Sequence, residues 1–318
     1  MKYWLSVLLF ILAVGAWIFH SSFHYDWLVD DAGISFAYAR NLANGYGLVS
    51  QPGLEPVEGY SNPLWVFLFS LFYYFGLMDL PFTVELVSSL LIVLGFGALL
   101  YALSFDERFD RREVLVVIAV AILFSSANVS VVLWMNSGLE PPLYFALIAC
   151  FLAKCRQLIE DASCLSSFTC GILAAMIALT RPEGIVFAIA MPLIGFLAKK
   201  LSFGFPGLFR SKWVFAVYSA TVGSILSMAF FSRYLYFGSF LPNTYVVKGG
   251  ADLQDLLGVF LLQPKMIEKA MEVTPRFFGI CWSNLLLILF GFALRYLAKK
   301  GKVTMTTWLV TFVSLIGF

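Results

Sequence analysis

Val84-Glu85-Leu86-Val87-Ser88-Ser89-Leu90-Leu91-Ile92-Val93-Leu94-Gly95-Phe96-Gly97-Ala98-Leu99-Leu100-Tyr101-Ala102-Leu103-Ser104-Phe105 carries a single charged side chain, Glu85, at its beginning. As a helix the run reaches across the roughly 30 Å hydrocarbon layer of a bilayer, for which about 20 apolar residues suffice. The rest of the 318-residue chain is built alike: 61% of residues are hydrophobic, 13% are charged, and the mean hydropathy is +0.88. Soluble domains are about half apolar and a quarter charged, so lipid is the expected solvent and a separate soluble domain is excluded.

Working outward, further apolar runs occupy residues 4–19, 114–135, 143–153, 168–180, 184–198, 213–231, 277–297 and 303–318. The length leaves room for about nine or ten crossings, which predicts an all-α polytopic membrane protein over 1–318. Ala13-Val14-Gly15-Ala16 has the small residues of a signal-peptidase site, but the first run is read as a retained span. The terminal run is about 15 residues, short of a full crossing, and predicts that a C-terminal part is lacking.

Lysines and arginines gather in four clusters: Arg108 to Arg112, Lys154-Cys155-Arg156, Lys199 through Lys212, and Lys299-Lys300-Gly301-Lys302. The positive-inside rule assigns all four to cytoplasmic loops. That parity holds only if the apolar stretch 64–78, which follows Pro63 and contains Tyr73 and Tyr74, does not cross; it is expected to be an interfacial or re-entrant helix. The extracytoplasmic loops are then 21–63, 136–142, the turn at Arg181-Pro182-Glu183, and 233–276.

A net charge of +2 with no basic stripe argues against nucleic acid as a partner, and the two histidines, His20 and His24, make no zinc pattern with the five cysteines. Cys150, Cys155, Cys164 and Cys170 lie near the assigned cytoplasmic side and are read as reduced thiols.

Chemistry-bearing residues concentrate in the extracytoplasmic loops. Asp30 and Asp31 open a helical segment that runs to Asn44-Gly45. One aspartate can cap that helix; a doublet can also deprotonate a hydroxyl or hold a cation. Pro52 to Trp65 offers Glu58, Asn62 and the rings of Tyr60 and Trp65, which suit stacking on sugars. Glu140 follows in the second loop. Arg181 and Glu183, two residues apart, form a local ion pair or serve a ligand. Arg233 and Lys248 are candidate phosphate partners that can equally snorkel to headgroups.

The ordered motifs Asp30-Asp31-Ala32-Gly33-Ile34-Ser35-Phe36-Ala37-Tyr38-Ala39-Arg40-Asn41-Leu42, Val57-Glu58-Gly59-Tyr60-Ser61-Asn62-Pro63-Leu64-Trp65, Ser137-Gly138-Leu139-Glu140, Thr180-Arg181-Pro182-Glu183-Gly184 and Leu241-Pro242-Asn243-Thr244-Tyr245 resemble those of GT-C membrane glycosyltransferases. Within that superfamily they are most similar to the bacterial arabinofuranosyltransferase-like and LphB-like group. The resemblance implies a GT-C-type helical bundle in a bacterial inner membrane with its site facing the periplasm or cell exterior. It also implies transfer of a sugar from a polyprenyl-phosphate donor to a glycan or lipid-linked acceptor of the cell envelope. Asp30, with Asp31, matches the acidic position that acts as the family's catalytic base. Glu58 and Glu140 become partners of acceptor, donor sugar or an optional divalent cation (Mg or Mn), held if present by Asp30, Asp31 and Glu58. Arg181, Arg233 and Lys248 would meet the departing phosphate, and Arg40, Tyr60, Asn62, Trp65, Glu183 and Asn243 complete the substrate-binding set. Two other readings remain open: a flippase of lipid-linked sugars, and an inactive, shortened paralogue.

Overall fold

The computed structural model describes residues 3–104, 110–185, 187–189 and 211–239, all within the compact unit Met1–Phe240. The described residues are helical and contain no strand. In chain order they form α1 (Tyr3–Ser22), α2 (Asp30–Ala43), α3 (Pro63–Tyr74), α4 (Phe82–Ser104), α5 (Arg111–Ala127), α6 (Val129–Met135), α7 (Pro141–Asp161), α8 (Cys164–Thr180), a 3-10 turn (Pro182–Gly184) and α9 (Lys212–Phe237). The expected runs at 277–297 and 303–318, most of 184–198, the basic clusters at 199–210 and 299–302, and most of the loop 233–276 lie outside the described residues.

Three helices, α1, α4 and α9, are long and apolar enough to cross a membrane, as expected of a membrane protein, and α5 with α6 would make a fourth if the bent pair counts as one span. Their exposed sides explain why lipid is required. Leu8, Ile11, Leu12, Ile18 and Phe19 of α1, and Trp213, Phe215, Met228 and Phe231 of α9, all lie open to the surroundings. In water such rows would be an aggregation surface.

Two expectations from the sequence are corrected. The run 114–135 is not one continuous helix: α5 ends at Ala127 and α6 leaves at 90°. The cause is Asn128, whose extended backbone (φ −93°, ψ 106°) stops α5 while its side-chain oxygen accepts from the N–H groups of Ser130 and Val131, capping α6. Hydropathy alone hides such a cap. Likewise Lys154, Cys155 and Arg156 are not a loop but lie inside α7, which continues to Asp161. The chain then reverses in two residues, with Ala162 left-handed (φ 46°) and the Ser163 hydroxyl accepting from the N–H of Ser166 to cap α8.

Within the stretch 64–78 only α3 is helical, and its 12 residues rise about 18 Å, too little to cross the hydrocarbon layer. Packing pairs α1 with α5, α4 with α7, α7 with α8, α8 with α9, and α2 with α3. At the α4–α7 seam Gly95 admits the ring of Phe145, which also meets Phe96 edge-on at 5.0 Å; a Cβ on Gly95 would lie 2.4 Å from that ring. Gly95→Ala is expected to cost about 1–3 kcal/mol of stability through overpacking, read as a lower Tm in detergent, with part of the loss recovered when Phe145→Leu is added.

Candidate functional site

Loop 136–140 closes onto the start of α2. The Val29 N–H donates to the Ser137 carbonyl at 3.0 Å. Gly138, at φ +81°, stands where a Cβ would come within 2.8 Å of Leu28 Cδ2 and 3.1 Å of Ala32 Cβ. Only glycine accepts both the left-handed backbone and the close approach. Asp30 and Asp31 sit in the first turn of α2, both exposed, with Val29 rather than either aspartate at the cap position and no side-chain cap bond. Helix capping, weighed from the sequence as one use of the doublet, is therefore not its role. What α2 does supply is the positive end of its dipole beside two carboxylates.

From this loop a chain of polar side chains runs through residues far apart in sequence. Ser35 Oγ donates to Asn62 Oδ1 at 3.1 Å, and Asn62 Nδ2 donates to Glu140 Oε2 at 2.7 Å. The other Glu140 oxygen accepts from Arg181 Nη1 at 3.1 Å, and Arg181 Nε donates to Glu183 Oε1 at 2.5 Å. Four helices thus meet: Asn62 precedes α3, Glu140 precedes α7, Arg181 follows α8, and Ser35 lies inside α2. Pro63 and Pro141 open α3 and α7 at positions where a missing N–H costs nothing.

Magnitudes separate the two partners of Arg181. Glu140 is nearly buried, so losing its partner strands a charge in a low-dielectric site, at about 3–5 kcal/mol. Glu183 has a half-exposed side chain, and a pair of that kind contributes at most about 1 kcal/mol. The local Arg181–Glu183 pair read from sequence exists, and the longer-range pair with Glu140 is the stronger tie. The Arg181 guanidinium also stands 5.9 Å from the Tyr144 ring centroid.

A second pair joins the first loop to α9. Arg233 Nε donates to Glu58 Oε1 at 3.1 Å and lies 2.8 Å from Oε2, with Glu58 nearly buried. Burial pushes the Glu58 carboxyl above its ordinary value, and the Arg233 charge works against that rise. Near the end of α9 the Tyr236 hydroxyl accepts from the Leu48 N–H at 2.9 Å.

Several sequence-based assignments change in this light. Trp65 is fully buried and donates through Nε1 to the Gly138 carbonyl at 3.0 Å, while Tyr60 is buried edge-on against Tyr38 at 4.9 Å. Both rings are core and neither is open to stack on a sugar. Glu58 is engaged by Arg233 rather than gathered with Asp30 and Asp31, and no cluster of three metal-ligating side chains occurs among the described residues. Arg233, expected near a phosphate, is spent on Glu58. Arg40 lies exposed in the last turn of α2. Asn243 and Lys248 lie outside the described residues. Sequence reasoning missed Ser35, Tyr38 and Tyr236 as participants; Ser35 follows Asp31 by one helical turn, the sole hint available, and nothing in the chain announces that Tyr236 reaches Leu48.

No family model matches the chain, and neither a curated protein nor a solved structure matches it.

Two substitutions test the network. Asn62→Asp places a second carboxylate against Glu140 and is expected to destabilise more than Asn62→Ala, measured as the difference in Tm. Gly184→Ala would set a Cβ 2.3 Å from the Ile177 carbonyl oxygen, so the turn carrying Arg181 must shift. Its expected signature is a Tm loss that Glu140→Gln no longer adds to fully, since both changes break one pair.

Proposed function

We propose that the chain is a membrane glycosyltransferase that moves a sugar from a polyprenyl-phosphate donor to a cell-envelope glycan or lipid-linked acceptor. The observation that supports this reading is the convergence of the first four ordered motifs on one network, Ser35–Asn62–Glu140–Arg181, beside the exposed Asp30–Asp31 doublet. Residues widely spaced in sequence meet at a few helix ends, which is how a bundle builds a site.

The geometry divides the labour. A general base needs an accessible carboxylate, and Asp30 and Asp31 are exposed. Glu140 has both oxygens occupied and serves instead to hold Arg181. Arg181 is partly exposed, so it can turn positive charge toward a departing phosphate. Arg233 and Glu58 brace the first loop against α9. In this reading the bundle is of GT-C type in a bacterial plasma membrane, with Asp30 as first choice for the base and its face directed to the periplasm or exterior.

The test is transfer from a panel of radiolabelled polyprenyl-phosphate sugars in membranes expressing the chain, with Mg2+, Mn2+ or chelator added in parallel. Asp30→Asn or Asp31→Asn at equal expression is expected to lower transfer by about 10²- to 10⁴-fold, the usual contribution of a general base. Glu140→Gln should lower transfer together with Tm. Transfer by neither the unmodified chain nor any donor would sink the enzyme reading, and transbilayer movement of the same lipid-linked sugars would then replace it with a flippase.

A further inference from the structure

His20 and His24 are the chain's only histidines, and the fold sets them side by side where α1 ends. His20 lies in the last turn of α1. Beyond it the Phe23 N–H donates to the His20 carbonyl at 3.3 Å and the His24 N–H to the Ser21 carbonyl at 2.9 Å, so the chain keeps its helical path for one more tight turn. A spacing of four then brings both rings to one side, with centroids 5.7 Å apart and planes tilted by 47°. His20 is fixed from behind. Its Nδ1 lies 2.5 Å from the Ser126 carbonyl oxygen, an acceptor left over at the end of α5: Asn128 stops that helix, and the Asn128 side chain takes the Ser130 N–H that would otherwise have reached Ser126. A carbonyl only accepts, so Nδ1 carries the hydrogen and the lone pair of the neutral ring is on Nε2. His24 makes no side-chain hydrogen bond among the described residues, and both rings are half-buried.

An imidazole with one nitrogen bonded to a carbonyl and the other bare is the form in which histidine ligates metal, and two such rings four residues apart make a chelating pair. Distance supports the pairing. An ion about 2.1 Å from one nitrogen of each ring stands about 3.2 Å from each ring centre, so it can join centres up to about 6.4 Å apart. The observed 5.7 Å falls inside that limit and corresponds to a nitrogen–metal–nitrogen angle of about 125°. A closing of about 0.5 Å, within reach of a small turn of the His24 ring, gives the tetrahedral angle. Capping of α5 accounts for His20 alone and leaves the second ring without a task. We infer that His20 Nε2 and a His24 nitrogen hold one divalent transition-metal ion of the Cu2+, Ni2+, Zn2+ class, with water in its remaining positions. The site joins the end of α1 to the α5–α6 bend through Ser126, and Ser21, between the two ligands, accepts from Asn136 Nδ2 of the neighbouring loop at 3.3 Å. Nitrogen ligands distinguish it from the optional Mg or Mn of the transfer reading, which would sit on carboxylate oxygens. The inference therefore goes beyond glycosyl transfer, and either can fail without the other.

The experiment titrates the purified full chain, in detergent and without a polyhistidine tag, with Cu2+ and follows the bound ion by pulsed electron paramagnetic resonance. Because the chain has two histidines, modulation from remote imidazole nitrogens counts them directly. One Cu2+ per chain with two imidazoles is expected, displaced by Zn2+ or Ni2+ and left in place by excess Mg2+ or Ca2+. His24→Ala should leave a single imidazole and weaken binding at least about tenfold, and His20→Gln should do the same. Zn2+ should also raise the Tm of the unmodified chain and not that of His24→Ala, since an ion that binds only the folded pair stabilises it. Should both variants fail to fold, the imidazole count and the competition series on the unmodified chain decide the matter. Fewer than two imidazoles on the bound Cu2+, an unchanged affinity in His24→Ala, or displacement by Mg2+ would each overturn the inference.

Discussion

A carboxylate removed from water must be met on each oxygen, and Glu140 shows what that requirement imposes on a fold. Asn62 holds one oxygen and Arg181 the other, so the start of α3, the start of α7 and the end of α8 are fixed to one point. Ser35 extends the grip to α2 through Asn62. Desolvation makes the arrangement all-or-none: an ionised carboxylate at 7% exposure with one partner missing is a liability of several kcal/mol, about half the stability of an ordinary domain. The start of α2 is bound to the same loop through Val29 and Ser137 and through the space left by Gly138. The aspartate doublet therefore acquires a fixed position without any bond that occupies its oxygens as a cap.

Around this hub the helices answer to a different solvent. The exposed rows of α1 and α9 are stable only where lipid replaces water, while α2 and α3 are shorter and sit against each other through the Phe36, Trp65 and Phe69 rings. The two ion pairs are the charged counterparts of that packing. Each joins an acidic residue of one loop to an arginine at or near a helix end, Glu140 to Arg181 and Glu58 to Arg233. With those carboxylates engaged, the accessible acidic groups next to the hub are Asp30 and Asp31. Accessibility, rather than charge alone, sets these exposed carboxylates apart from the buried ones that hold their neighbours.

The apolar runs made α1, α4 and α9 legible in the sequence, because length and hydropathy are properties of a segment by itself. The break at Asn128 was written there too, as an amide capable of capping inside an apolar run, but the hydropathy of 114–135 outweighs one polar residue in any window. Glu58, Asn62, Glu140, Arg181 and Arg233 stood out as polar residues in an apolar chain. Their partners did not, since Asn62 and Glu140 are separated by 78 positions and Glu58 and Arg233 by 175. Tyr60 and Trp65 were open to misreading for the same reason: an aromatic ring in a Pro/Gly-punctuated loop looks available until the fold covers it.

What the sequence by itself determined is the solvent of this protein and the inventory of groups that solvent cannot tolerate alone, because transfer free energy is set residue by residue along a segment. Tertiary structure alone decided which of those groups neutralise one another and which stay open. Pairing depends on distances between helix ends that no local pattern encodes, and burial, which gives each pair its energy, exists only after the helices have packed.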